Sequence, residues 1–170
     1  MVHISNVYTR TGDDGTTDLG DGERIPKGDP RLDSAGDLDE LVCALGMALS
    51  LDNQDHEVLR EIQNQLFDLP SQPSLSSRFV QELEDWCDDA NEGLAPLSSW
   101  VLPGGDLYPA AVHQARAICR RAERRYWDTD DKEIARYLNR LSDFLFILAR
   151  RSGTPTETLW VPEYDRRGAQ

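Results

Sequence analysis

Lysine is almost missing from this chain of 170 residues: only Lys27 and Lys132 occur, and arginine supplies the other 16 of 18 cations. Against them stand 31 acids, 20 of them Asp, and the net charge is −13. A general nucleic-acid binder carries a basic surface, and an anchor for anionic lipid carries clustered cations, so neither nucleic acid nor membrane is an expected partner. Few lysines with many aspartates suit a salt-rich cytoplasm. Stability measured from low to multimolar KCl tests that idea, and a flat response removes it. No run approaches the ~20 apolar residues of a membrane span. The opening MVHISNVYTRTGDDG has neither the basic start nor the apolar core of a secretory leader, so a soluble cytoplasmic protein is expected. Hydrophobic residues at 39% and charged residues at 29% fit one globular domain able to bury a core.

Cysteine is also scarce. Cys43, Cys87 and Cys119 are widely spaced, with no Cys-x-x-Cys or Cys/His cluster to suggest zinc. Each falls in an apolar helical pattern, which predicts buried thiols in a reducing compartment. None of His3, His56 and His113 follows a Glu by three positions, which excludes a ferritin-like di-iron bundle. The His-Glu-x-x-His of zinc proteases, the Walker A loop and the EF-hand spacing are absent as well.

What is present is helical periodicity. Residues 1–30 lack it and form a loop-rich arm of Gly, Pro, Thr and Asp. Pro30 suits a helix start, and Leu32, Ala35, Leu38, Leu41, Val42, Leu45 and Leu49 then recur at three and four. Further helices are predicted over about 56–69, 75–94, 108–127 and 131–151. The stretch Pro70–Ser74 breaks the second from the third. Residues 96–106, PLSSWVLPGGD, read as a structured turn. Residues 154–170 read as an extended or frayed tail. No strand-period segment carries conviction. The expected fold is all-α: an antiparallel five-helix bundle over 31–153, between an N-terminal arm and a C-terminal tail.

Two constellations could carry chemistry. In ARAICRRAERR, Arg116, Arg120 and Arg124 form one helical stripe, and Arg121 and Arg125 the neighbouring one. Arginine forks bind phosphate oxygens in pairs, and several together are costly without an anion. The run also reads as a solvated face paired with acids on other helices. The arm segment YTRTGDDGTTDLGDG, residues 8–22, can gather backbone N–H groups into an anion nest, with Arg10 and Lys27 adding charge. It reads equally as a flexible acidic arm. Asn139 and Asp143 lie one turn apart in the fifth helix, and Asp39 and Glu40 follow Gly36 in the first. Each pair also reads as ordinary polar surface.

TRTGDDGTT, KGDPR with GDLDEL, WVLPGG, RAICRRAERR and YLNRLSDFLFILAR occur in that order between Tyr8 and Arg151. Together they resemble the PduO-type ATP:corrinoid adenosyltransferases. The resemblance implies a homotrimer with sites at subunit interfaces, and transfer of the 5′-deoxyadenosyl group of ATP to cobalt. Cob(II)alamin would first be reduced to cob(I)alamin by an external, flavin-type reductase, and an adenosylcobalamin-dependent acceptor enzyme could take the product. Residue by residue, it implies that Thr9, Arg10, Thr11, Gly12, Asp13, Gly15, Thr17 and Lys27 cradle ATP. Arg120 and Arg124 would face the triphosphate, Glu123 would help hold Mg2+, and Asn139 would contact the nucleotide. Asp39 would pair with Arg120 across the interface, with Arg116 and Asp143 nearby. Trp100 stands where the family usually has Phe, as an apolar wall beneath the corrin. Other departures are the PSQPS connection and Val42 in place of Asn. A non-catalytic binder of ATP or adenosylcobalamin, or a plain helical scaffold, remains open at this point.

Overall fold

The computed structural model describes residues 8–18, 22–51, 55–153 and 157–167. Five long helices make up the bundle: α1 Pro30–Leu49, α2 His56–Asp68, α3 Ser76–Asn91, α4 Leu107–Tyr126 and α5 Lys132–Arg151. Helix α1 starts where the sequence says it should. Pro30 fills the first turn, and the Asp29 carboxylate accepts from the Arg31 N–H at 3.0 Å, which satisfies one of the orphan donors of a helix end. Helix α3 stops at Asn91, three residues before the predicted end, because Gly93 turns the chain with φ of 80°.

α5 is the hub. It packs on α4 and α3, α4 packs on α1, and α1 packs on α2. Its seam of Ile134, Leu138, Leu141, Leu145 and Leu148 is almost wholly buried. Burying one such side chain contributes about 1.5–3 kcal/mol. Tyr137 is buried among them, edge-on to Phe79 at 6.2 Å. Its hydroxyl donates to Gln65 Oε1 at 2.9 Å, and Gln65 Nε2 donates to Glu82 at 2.8 Å. The polar end of a core tyrosine is thus satisfied, as burial requires. Where α2 and α1 meet, Gln63 Nε2 donates to the Val42 carbonyl at 2.9 Å.

Three expectations need correction. The arm contains a two-stranded antiparallel hairpin, β1 Thr16–Asp18 and β2 Arg24–Pro26, with Thr17 opposite Ile25. Strands of three residues are too short to show a period. The tail is neither simply extended nor frayed where it is described: Leu159 bridges to Val101, and a short helix, α6, covers Glu163–Arg167. The cysteines are not uniformly buried. Cys119 is, Cys87 is half-buried, and Cys43 is exposed on α1. His3 lies outside the described residues.

Candidate active site

The five arginines of α4 divide by helical phase. Arg121 and Arg125 face α1. There Asp37, whose side chain is 9% exposed, takes Arg121 Nε at 3.2 Å and Arg125 Nε at 3.0 Å. Asp33 takes Arg125 at 2.8 Å, and Glu40 pairs with Arg121. Three acids thus neutralise two cations within the chain. The solvated-pair reading holds for this stripe.

Arg116, Arg120 and Arg124 differ. Among the described residues, none of them makes an ion pair. Arg124 Nη1 only donates to the Arg120 carbonyl at 2.9 Å, one turn back. Arg116 lies over the Phe146 ring at 5.6 Å, and its Nε is buried without a partner. Burial and the neighbouring Arg120 charge both lower its pKa, so the cationic form is under strain there. An anion across this stripe would give all three a partner.

Glu123 stands in the same part of α4. Its Oε1 accepts from Trp127 Nε1 at 3.2 Å and from Asn139 Nδ2 at 3.1 Å. Asn139 is thereby brought from α5 to the α4 stripe, and Oε2 is left without a partner among the described residues. A single carboxylate could hold Mg2+ only together with substrate phosphates, since that ion takes one or two protein carboxylates and fills its shell from phosphate and water. Among the described residues, no cluster of three His, Cys, Asp or Glu forms a metal cage. Asp143 is engaged by Arg140 at 2.9 Å, and Arg140 also reaches Glu84 at 3.1 Å. Asp39 is exposed on α1 and has no ion pair with Arg120 within the chain.

The arm is folded on itself. Lys27 Nζ donates to the Gly12 carbonyl at 2.7 Å, and Lys27 N to Gly15 O at 2.9 Å. A Cβ on Gly12 would stand 3.0 Å from Lys27 Nζ and 3.2 Å from Thr16 O, so a side chain there would push the lysine away. Arg10 and Gly15 both take positive φ, 63° and 82°, and the turn between them is closed by Asp13 N donating to Arg10 O at 3.3 Å and Gly15 N to Gly12 O at 3.2 Å. Thr9 and Thr11 share a hydroxyl bond of 2.8 Å. Arg24 clamps the turn, bonding the Thr11 carbonyl and, through Nε at 3.1 Å, the Thr16 hydroxyl. Asp13 and Thr17 complete the segment.

Trp100 sits on the loop between α3 and α4, with 78% of its surface exposed. A tryptophan in water is costly by its area. Leu97, Leu102 and Leu107 beside it in sequence are exposed too.

Sequence reasoning missed Asp37 and Arg24. Asp37 lies within the buried run Ser34, Asp37, Leu38, Leu41 of α1. A carboxylate at a core position is itself the signal that a cation must meet it. For Arg24 no sequence signal marks which arm carbonyl it would reach.

The fold is a five-helix bundle that carries a Gly/Thr-rich arm and an arginine row without an ion pair among the described residues. Residues 7–152 match the sequence model of the family described as cobalamin adenosyltransferase, and the chain belongs to that family. A corrinoid adenosyltransferase of Mycobacterium tuberculosis is 45% identical over 97% of this chain and 97% of its own length. One from Homo sapiens is 40% identical over 86% of this chain and 68% of its own. Among solved structures, a variant PduO-type ATP:corrinoid adenosyltransferase from Lactobacillus reuteri, complexed with cobalamin and ATP, matches with a TM-score of 0.81. It is 29% identical and covers 91% of this chain and 99% of that one. No helix among the described residues is long and apolar enough to cross a membrane.

Proposed function

We propose that the chain transfers the 5′-deoxyadenosyl group of ATP to cob(I)alamin, yielding adenosylcobalamin and tripolyphosphate. The observation that carries this is the row Arg116, Arg120 and Arg124, without an acid partner among the described residues of a chain of net charge −13. Cobalt(I) supplies the electron pair. It attacks the ribose C5′, the Co–C bond forms, the C5′–O bond breaks, and the departing oxygen keeps its pair as tripolyphosphate. No side chain needs to move a proton, because the corrinoid carries the hard chemistry. The protein aligns C5′ with cobalt and stabilises charge on the leaving chain.

Roles follow from position. Thr9, Arg10, Thr11, Gly12, Asp13, Gly15, Thr17 and Lys27, in the arm of residues 1–30, wrap ATP against the bundle of 31–153. Lys27 exchanges the Gly12 carbonyl for a phosphate oxygen. Arg120 and Arg124 take the triphosphate forks, with Arg116 behind them. Glu123 Oε2 would hold Mg2+, which neutralises phosphate charge. Asn139 meets the nucleotide, and Asp143 keeps Arg140 oriented beside it. Asp39 and Arg120, apart in one chain, meet between chains of a homotrimer, so assembly completes each site. Trp100 forms the apolar wall that displaces the lower axial ligand of cob(II)alamin and makes its reduction by an external flavin-type reductase feasible. An adenosylcobalamin-dependent enzyme in the cytoplasm would then accept the product.

The test is an anaerobic spectrophotometric assay with cob(I)alamin, ATP and Mg2+. Appearance of adenosylcobalamin with stoichiometric tripolyphosphate is the expected result. Tight binding of both substrates without product would instead identify a carrier, and no ATP binding would leave a scaffold.

A further inference from the structure

The loop before α4 leaves its largest side chain unsupported, yet holds its backbone firmly. Trp100 is 78% exposed, so packing does not fix the indole. Residues 96–106 are rich in Pro, Gly and Ser, and such a segment costs conformational entropy to hold in one shape. What holds it comes from the far end of the chain. Leu102 N donates to the Thr158 carbonyl at 2.8 Å, and Trp160 N to the Trp100 carbonyl at 2.7 Å. Val101 faces Leu159 between these two bonds. Ser99 Oγ donates to the Trp160 carbonyl at 2.7 Å.

The strap is anchored in turn. The Arg150 side chain, 8% exposed at the end of α5, grips Glu157 with Nε at 2.5 Å and Nη2 at 3.0 Å. The same Nη2 donates to the Ala95 carbonyl at 2.9 Å, where the loop begins. A buried guanidinium needs all of its partners, so this fork fixes the loop entrance and the strap together. Trp160 lies directly opposite Trp100 in the antiparallel pair, and opposite residues leave such a ribbon on the same side. Residues 157–160 lie beyond the stretch 7–152 that matches the family model.

We propose that residues 157–160 are a positioning strap that sets where the Trp100 indole stands, and so governs reduction of bound cob(II)alamin rather than alkylation of cobalt(I). This rests on the role given to Trp100 above. The strap acts through the loop backbone and touches no reacting atom.

The experiment uses the full-length chain with substitutions Trp160→Pro, Trp160→Phe, Glu157→Gln and Trp100→Ala. Proline removes the N–H that reaches the Trp100 carbonyl, and phenylalanine keeps it. Three quantities are read: the rate of reduction of bound cob(II)alamin with MgATP, the rate of alkylation of supplied cob(I)alamin, and the KM for ATP. Trp160→Pro should slow reduction on the order of tenfold, as small misplacements of a preorganised site do. Alkylation and the KM should stay near the parent values, and Trp160→Phe should retain most of both rates. Glu157→Gln should reproduce the selective loss in milder form, and it decides the matter alone if the proline variant does not fold. Equal losses in both steps, or unimpaired reduction in both Trp160→Pro and Glu157→Gln, would overturn the strap. If Trp100→Ala itself leaves reduction untouched, the role of Trp100 fails and takes the strap with it. If Trp100→Ala slows reduction while the tail variants do not, the strap alone fails.

Discussion

Two rows of arginine run along α4, one residue out of phase, and they have opposite fates. Arg121 and Arg125 meet Asp33, Asp37 and Glu40 of α1. Arg116, Arg120 and Arg124 meet no acid among the described residues, although acids outnumber cations 31 to 18 in the chain. The paired row is a seam between helices, and the other row is the surface to which the proposed function assigns the triphosphate. Charge alone does not separate the two; the phase of the helix does.

The largest effect that separates the rows is on catalysis. Arg124→Ala should lower kcat/KM by a factor equivalent to about 2–4 kcal/mol, the usual loss for one preorganised donor to a developing charge. The melting temperature should hardly move, because Arg124 gives up only a bond to its own helix. Steady-state kinetics beside a thermal melt check both halves. Near-parent turnover would make the row mere surface.

The seam should respond the other way. Asp37→Ala removes the carboxylate shared by two guanidinium groups, each partly open to water at 37% and 42% exposure, and leaves Arg121 with Glu40 and Arg125 with Asp33. Solvent screening lowers the cost, and about 1–2 kcal/mol of unfolding free energy is expected to be lost. Urea denaturation measures it. The activity of each folded molecule should be nearly intact. If Asp37→Ala abolished turnover without loss of stability, the division of labour between the rows would be wrong.

A smaller effect comes from His113, buried on the α4 face near Arg116. Burial, and then the Arg116 charge, lower its pKa, with Glu157 opposing. The unfolded histidine titrates near about 6.5. Between that value and the lower folded one, the unfolded chain binds the proton that the folded chain refuses. Stability is therefore full above the unfolded pKa and declines as pH falls through this window. His113→Asn should flatten that part of the curve of unfolding free energy against pH. An identical slope in parent and variant would remove His113 as its source.

The helices were legible because apolar residues recur at three and four over each of them, and α1, α2 and α5 begin within one residue of where periodicity puts them. The arginine run was legible as a cluster, but its division was not. Which stripe meets acids depends on α1, where Asp37 is hidden inside an apolar run. The tail was illegible for another reason. Leu159 pairs with Val101 across the whole length of α4 and α5, and no local pattern announces so distant a partner. The arm hairpin was hidden by brevity. The burial of Cys43 was illegible because α1 carries apolar or small residues outside its buried face as well: Ala35, Gly36, Val42, Cys43, Gly46 and Met47. A helix so evenly apolar does not declare which face is inward.

That last ambiguity gives the smallest and most local measurement. Cys43 lies one turn from Asp39 on α1, and both are exposed in the single chain. Residues four apart share a helix face. If Asp39 meets Arg120 of a neighbouring subunit, Cys43 is covered with it. Cys87 is half-buried, with its thiol pushed up to about 11 chiefly by burial, and the thiolate is the reactive form. Cys119 is fully buried. Labelling with a thiol reagent near pH 8 should then be slow at all three cysteines in the assembled protein. Diluting it until subunits separate should release Cys43 alone. Fast labelling of Cys43 in a demonstrated oligomer would put the Asp39 face in solvent. The unpaired arginine row would then have to meet its nucleotide without help from a second chain.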